Sequence, residues 1–277
     1  MIIIDNLSFA YRKGCEVLRD INATFEPGIH LVLGPNGAGK TTFFNIMAGL
    51  LVPRKGTCEI DGMSSSAHSP WLMREMMFLP DDCLFPLSTI KDMAARHAVF
   101  YPGFSPELLE GNLKAFGLSG NERLADMSLG NRKKANIAYV LSLGTKVLLL
   151  DEPANGLDIA SKKTLNHMIA ASANDGRYIF IATHTVHDMR NLFDSVTVLS
   201  CGHLLLSATV GHVLSRVAFI SSPSVMDDAL YSESGLDGWR QIIPLSHDMS
   251  ETSLDFELLY TALTSGSYSQ TLIETLK

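Results

Sequence analysis

The chain has 277 residues, a net charge of −7, 46% hydrophobic residues and 18% charged residues. That length admits one large domain or two small ones, and the composition is that of a folded chain rather than a disordered one. The acidic balance argues against a protein that grips duplex nucleic acid through its phosphates, so no nucleic-acid partner is expected.

In chain order, the apolar start Met1–Asp5 lacks a basic leader and a small-residue cleavage site, so it reads as a first strand. Ile2–Ile4, Val17–Phe25, His30–Leu33 and Thr57–Ile60 are strand-like, with turn signals at Glu26-Pro27-Gly28 and Asp61-Gly62. Lys40 to Leu51 follows a glycine-rich loop and is expected to be helical. The longest apolar run, Ile46–Val52, is seven residues and contains Gly49, whereas a spanning helix needs roughly 18. Residues 84–145 change character and look helical. Ser105-Pro106 starts a helix that presents Leu109, Leu113 and Phe116 on one face and ends at Gly117. From residue 146 the pattern is strand (Val147–Leu150), helix (Ile159–Ala173), strand (Tyr178–Ala182), the alternation of an α/β sheet with crossover helices. Beyond about Ser215 the tail carries one strand, Val217–Ile220, and one helix, Ser253–Leu263, and reads as a small appended module. The four cysteines, Cys15, Cys58, Cys83 and Cys201, show no zinc or redox spacing and read as reduced structural thiols.

Two motifs carry chemistry. Gly34-Pro35-Asn36-Gly37-Ala38-Gly39-Lys40-Thr41, running on into Thr42, fits the phosphate-binding pattern G-x-x-x-x-G-K-[ST]. Its glycines let successive backbone N–H groups turn inward, the following helix adds its positive end, Lys40 brings a point charge to the outer phosphates of ATP, and the Thr41 hydroxyl can ligate Mg2+. Val147–Leu150 then runs into Asp151-Glu152-Pro153. Ligands in open α/β sheets bind at the carboxyl ends of strands, so Asp151 is placed on the metal's hydration shell and Glu152 on the attacking water. Alone, two acids at a strand end would be weak evidence; beside a phosphate loop they are strong.

From here the chain resembles the ABC ATPase family, over about residues 1–215. The resemblance rests on further motifs. Met127-Ser128-Leu129-Gly130-Asn131 is similar to the family signature, with Leu129 and Asn131 departing from the usual Gly and Gln. The resemblance implies that Ser128, Gly130 and their helix end meet the γ-phosphate held by a second subunit. Asn155-Gly156-Leu157-Asp158 resembles the loop that signals across the dimer, although Asp158 would serve equally as an N-cap. Ile181-Ala182-Thr183-His184 resembles the switch-histidine strand, with His184-x-x-His187 as a rival metal pair. Tyr11 stands where the family stacks an aromatic on adenine, and packing is the alternative. In Phe78-Leu79-Pro80-Asp81-Asp82, Asp81 occupies the place of the family's coupling Gln; it can bind magnesium but, ionised, cannot donate a hydrogen bond. Arg132-Lys133-Lys134 reads as a solvated basic run.

The resemblance implies a P-loop NTPase core of the ABC type: a mixed sheet, an N-terminal antiparallel β-subdomain, an inserted helical subdomain at about 84–145, and a 216–277 α+β extension. It also implies catalytic roles for Lys40, Glu152 and His184, metal contacts for Thr41, Asp151 and Asp81, and a homo- or heterodimer with a second ATPase subunit sandwiching two ATP. With no spanning helix, the expected partner is a separate transmembrane subunit, docked on the helices of about 84–145 beside Asp81. The fairly short ATPase core, the Leu79-Pro80-Asp81-Asp82 loop and the Ser253-Leu254-Asp255-Phe256 helix look most like those of drug, lipid or peptide exporters with separate ATPase subunits. The chain would then sit in the cytoplasm on the inner face of the membrane. A soluble ATPase of the iron–sulfur assembly type is the main alternative, and a regulatory subunit with little turnover is a third.

Overall fold

The computed structural model describes residues 1–12, 14–83, 85, 88–184, 186, 189, 192–235, 238–245, 253–266 and 269–276. The first strands, β1 (Ile2–Arg12) and β2 (Cys15–Phe25), are longer than their apolar cores suggest, because pairing of a hairpin continues past the buried positions. Register shifts after Ile4 and Leu7 bring Ile2, Ile4, Leu7 and Phe9 all to buried positions. After β3 (Gly28–Leu33) comes α1 (Lys40–Met47), then β4 (Lys55–Ile60), β5 (Met63–Ser64), α2 (Pro70–Arg74) and β6 (Met76–Leu79). The strands β2-β1-β4-β5 form one antiparallel sheet.

The helix expected to reach Leu51 stops at Met47. Gly49 adopts φ +72°, its N–H bonds the Ile46 carbonyl, and the Leu50 N–H bonds that of Asn45, the paired closure that ends helices on a left-handed residue. The following region supplies α3 (Ile90–His97), α4 (Pro106–Ala115) and α5 (Leu129–Ser142). In α4 the Ser105 hydroxyl accepts from Leu108 N–H at 3.0 Å and Leu109, Leu113 and Phe116 are buried, as the spacing predicts.

The chain continues through β7 (Val147–Asp151), α6 (Ile159–Ser172), β8 (Tyr178–Thr183), β9 (Ser195–Ser200) and β10 (His203–Thr209). A six-stranded sheet, ordered β10-β9-β3-β8-β7-β6, is parallel except for β10. Both its faces are covered. In β7, Leu148 and Leu150 join the core on the helical side while Val147 and Leu149 join the core against the antiparallel sheet. That is why this strand reads as an unbroken apolar run.

The tail is richer than its sequence pattern suggests. After α7 (Val210–Leu214), the strands β11 (Val217–Ser222), β12 (Tyr231–Gly235) and β13 (Gly238–Pro244) form an antiparallel sheet ordered β11-β13-β12, followed by α8 (Phe256–Thr264) and α9 (Ser269–Leu276). The helix expected from Ser253 starts at Phe256, because Asp255 is the cap that accepts the Leu258 N–H. Val217, Phe219, Ile242, Phe256, Leu259 and Leu272 belong to the same continuous core as Leu31 and Leu148.

His30 sits in the other core layer. Its ring stacks on Phe180 at 4.5 Å and its Nδ1 shares a 2.7 Å hydrogen bond with Ser195 Oγ. Burial, only partly opposed by the Glu26 backbone and Asp194, lowers its pKa from 6.5 to about 4. The unfolded chain therefore takes up a proton that the folded chain refuses, and the His30 contribution is intact above pH 6.5 and lost as pH falls through 4. A loss of roughly 2–3 kcal/mol between pH 7.5 and 4.5 is expected from this group. Urea titrations at the two pH values should show the His30→Gln variant losing that much less stability than wild type.

Candidate functional site

The phosphate-type loop joins β3 to α1 at the carboxyl end of the parallel sheet. A Cβ on Gly34 would stand 2.6 Å from the Leu199 carbonyl oxygen, and one on Gly39, at φ +105°, would stand 2.7 Å from Leu18 Cδ2. Backbone leaves no room for a side chain at Gly34, and the positive φ at Gly39 strains any residue that carries one. The loop turns back over Lys40, which is only 6% exposed; its Nζ donates to the Gly34 carbonyl at 2.7 Å and lies 3.7 Å from Glu152 Oε1.

Thr41 Oγ1 donates to Asp151 Oδ2 at 2.5 Å. Asp151 is 4% exposed, and burial, reinforced by repulsion from Glu152 and opposed by the Thr41 hydrogen bond, raises its pKa above the usual carboxylate range. Glu152 has φ +46°, unusual for a residue with a side chain. Its N–H bonds the Ala182 carbonyl at 2.8 Å, its Oε2 accepts from Thr183 Oγ1 at 3.0 Å, and its Oε1 lies 2.7 Å from His184 Nδ1. The parallel pairing of β7 with β8 delivers these contacts, since it sets Asp151 beside Ala182.

A cleft of about 460 Å³ collects Tyr11, Pro35, Asn36, Gly37, Gly39, Lys40, Thr41, Thr42, Asp81, Asp151 and Glu152; Ala38 is buried and does not line it. Tyr11 stands at the rim, 59% exposed, its hydroxyl 3.1 Å from Thr42 Oγ1 and its ring edge-on to Phe9.

Ser128 and Gly130 do not join this cleft. Ser128 caps α5 by accepting the Asn131 N–H at 3.3 Å, and Gly130 lines a second groove of about 530 Å³ with Asp81, Leu129, Asn155 and Gly156. Leu129, in the place of the usual glycine, is 79% exposed. Asp158 caps α6, accepting the Ser161 N–H at 2.8 Å, and that bond together with Lys134 holds its carboxyl far below the usual range.

The basic run is not the solvated face its composition suggests. Lys134 pairs with Asp158 at 3.0 Å and Lys133 with Asp81 at 2.5 Å. Asp81 is thus both a wall of the cleft and one half of an ion pair. Sequence reasoning missed Lys133, and no local pattern marks it. Thr183 was within a quoted motif but had no role; its place beside His184 at a strand end was the available signal. His187, the second member of the rival metal pair, lies outside the described residues. Among the described residues no cluster of three or more His, Cys, Asp or Glu side chains is placed to hold a metal.

A curled glycine loop over a buried lysine, at the mouth of a parallel sheet and beside an acid-tipped strand, defines a P-loop nucleoside triphosphatase. Comparison with known proteins narrows the class. The family model described as ABC transporter matches residues 18–155. An ABC transporter ATP-binding protein of Pyrococcus furiosus is 32% identical over 216 residues, covering 74% of this chain and 82% of that protein. The energy-coupling factor transporter ATP-binding protein EcfA of Methanothermobacter thermautotrophicus is 32% identical over 225 residues, covering 76% and 71%. A solved ATP-binding subunit of an ABC transporter shares the fold with a TM-score of 0.69 and 24% identity, covering 77% of this chain and 91% of that one. The chain belongs to the family of ABC transporter ATP-binding proteins, and it is an ATPase of that family.

Proposed function

We propose that this ATPase drives a separate transmembrane subunit through ATP-dependent pairing of two ATPase subunits, homo- or heterodimeric. The supporting observation is the separation of two half-sites on one chain. The cleft around Lys40 holds the groups suited to phosphates and water, whereas the Ser128-capped start of α5 lies outside it. A helix N-terminus presents free N–H groups and partial positive charge, a ready partner for a phosphate. Paired head to tail, each chain's Ser128 and Gly130 complete the other's cleft, and γ-phosphate contacts stabilise the closed state.

Within the cleft, the loop N–H groups and Lys40 take the phosphates, Tyr11 stacks on adenine, and Glu152 polarises the attacking water. His184 and Thr183 hold the Glu152 carboxylate in position from either oxygen. The oxygen set of Thr41, Asp151 and Asp81 fits magnesium, a hard cation that prefers few protein ligands plus phosphate. Bound there, Mg2+ would neutralise charge developing on the transferred phosphoryl group.

No helix among the described residues is long and apolar enough to cross a membrane. An apolar groove of about 400 Å³, lined by Leu50, Met73, Met77, Phe78, Pro80 and Tyr101, adjoins the Asp81 loop. We assign it to the transmembrane subunit, which would hold the chain on the inner face of the membrane. Only Tyr101 comes from the helical stretch expected to dock. Export is the direction we propose, from the likeness of the Leu79–Asp82 loop and C-terminal helix to exporter ATPases. Residues 1–215 form the ATPase domain in this reading and 216–277 an extension whose sheet is seated on the shared core.

Tagged protein from membranes solubilised in mild detergent should carry a polytopic membrane protein, and ATPase activity of that complex should exceed that of the isolated chain. A chain that leaves the membrane alone, with an ATPase rate unaffected by any membrane fraction, would refute the transporter role.

A further inference from the structure

One ammonium group joins three segments of the site. Lys133 Nζ donates to Asp81 Oδ1 at 2.5 Å, to the Glu152 carbonyl at 2.7 Å and to the Asn155 carbonyl at 3.1 Å. An ammonium has three protons to give, and here each has an acceptor. The Lys133 side chain is 14% exposed; its bond to the Glu152 carbonyl is partly buried, while those to Asp81 and the Asn155 carbonyl face solvent.

The Glu152 turn has reason to need this hold. Its backbone sits at φ +46°, a conformation that persists only where surrounding contacts over-determine it. The N–H is fixed by Ala182 on β8 and the carboxylate by Thr183 and His184. The carbonyl accepts two donors, the Asn155 N–H of its own turn at 3.1 Å and, from α5, Lys133 Nζ at 2.7 Å. The same nitrogen grips Asp81, whose second oxygen is 3.5 Å from Asn155 Nδ2. The resemblance leads one to expect at position 81 an amide, which both donates and accepts. An ionised Asp only accepts. Lys133 restores the missing donor from the neighbouring helix.

We propose that Lys133 is a positioning residue for ATP hydrolysis: it fixes the strained turn that carries Glu152 and ties that turn to the Asp81 loop, so that the two move together. The inference rests on Glu152 acting on the attacking water.

The test compares the full-length wild type with Lys133→Met, Lys133→Arg, Asp81→Asn and the Lys133→Met/Asp81→Asn double variant. For each, kcat and the Kd for Mg-ATP are measured, together with amide exchange of segments 79–83 and 152–157 in nucleotide-free protein. Lys133→Met should lower kcat at least tenfold with Kd within threefold of wild type, and Lys133→Arg should keep at least a third of wild-type kcat. Asp81→Asn alone should lower kcat severalfold, yet by less than twofold when Lys133 is already Met. Exchange should quicken at both segments in Lys133→Met and not in Lys133→Arg. The proposal is overturned if Lys133→Met leaves kcat within threefold of wild type, if kcat and Kd worsen in step, or if the Asp81 and Lys133 effects simply multiply. Should Lys133→Met fail to fold, Lys133→Gln carries the same expectations. If wild type turns over no ATP, the reading of Glu152 fails, and exchange alone then decides: quickened at both segments upholds the tie, unchanged at either one refutes it.

Discussion

Glu152→Gln should lower ATP turnover by about 10²–10⁴-fold while leaving nucleotide binding intact, the range general-base assistance is worth. That loss corresponds to roughly 3–5 kcal/mol of barrier. The substitution keeps the shape of the side chain and one carbonyl oxygen able to accept from Thr183 Oγ1, which bonds the carboxylate at 3.0 Å. It removes the negative charge that lies 3.7 Å from Lys40 Nζ and 2.7 Å from His184 Nδ1. The fold is therefore preserved and the chemistry is not. If γ-phosphate contacts close two subunits on each other, a variant that binds ATP without consuming it should accumulate as the closed pair. Phosphate release and size-exclusion chromatography in Mg-ATP read the two effects separately. A variant that binds ATP yet stays monomeric would defeat the pairing model, and one that hydrolyses at wild-type rate would defeat the role of Glu152.

Lys40→Ala has the larger expected effect on binding: Mg-ATP affinity should fall at least a hundredfold. The lysine is buried under its own loop, bonded to the Gly34 carbonyl at 2.7 Å, so its charge is held where phosphates would arrive and is little screened by solvent. A ligand at a hundred times its Kd stabilises the folded state by about 2.7 kcal/mol. At an ATP concentration chosen to meet that condition for wild type, the variant should gain less than about 0.5 kcal/mol. Thermal unfolding with and without Mg-ATP measures the difference. An equal ATP-induced rise in Tm for both proteins would remove the phosphate-binding loop from the account, and with it the proposed function.

The parts of this site that were legible in the sequence are those written in short-range chemistry. The Gly34–Thr42 loop is legible because close backbone approach at Gly34 and a positive φ at Gly39 are met without strain only by glycine. Asp151 and Glu152 are legible because a strand buried on both faces reads as an apolar run and then breaks into charge. Caps are legible too: Ser105 and Ser128 each accept the backbone N–H three residues on. Boundaries were read less well. The end of α1 at Met47 depends on Gly49 flipping left-handed, while the apolar residues beyond it keep a helical appearance. In the tail, β12 and β13 carry Ser, Glu, Arg and Gln on paired positions, so alternation is blurred although the sheet forms.

By itself, then, the sequence determined the chemistry of the loop and the acid pair, the α/β alternation and the membership of the family, since each depends on neighbours within a few residues. Only the tertiary structure decided which of those groups share a cleft. It set Ser128 and Gly130 apart from Lys40, folded the tail onto the common core, and brought Lys133 to Asp81 across 52 residues and to the Glu152 carbonyl across 19. Such contacts depend on the path of the chain and the reach of a flexible ammonium stem, and neither leaves a periodic trace in the order of residues.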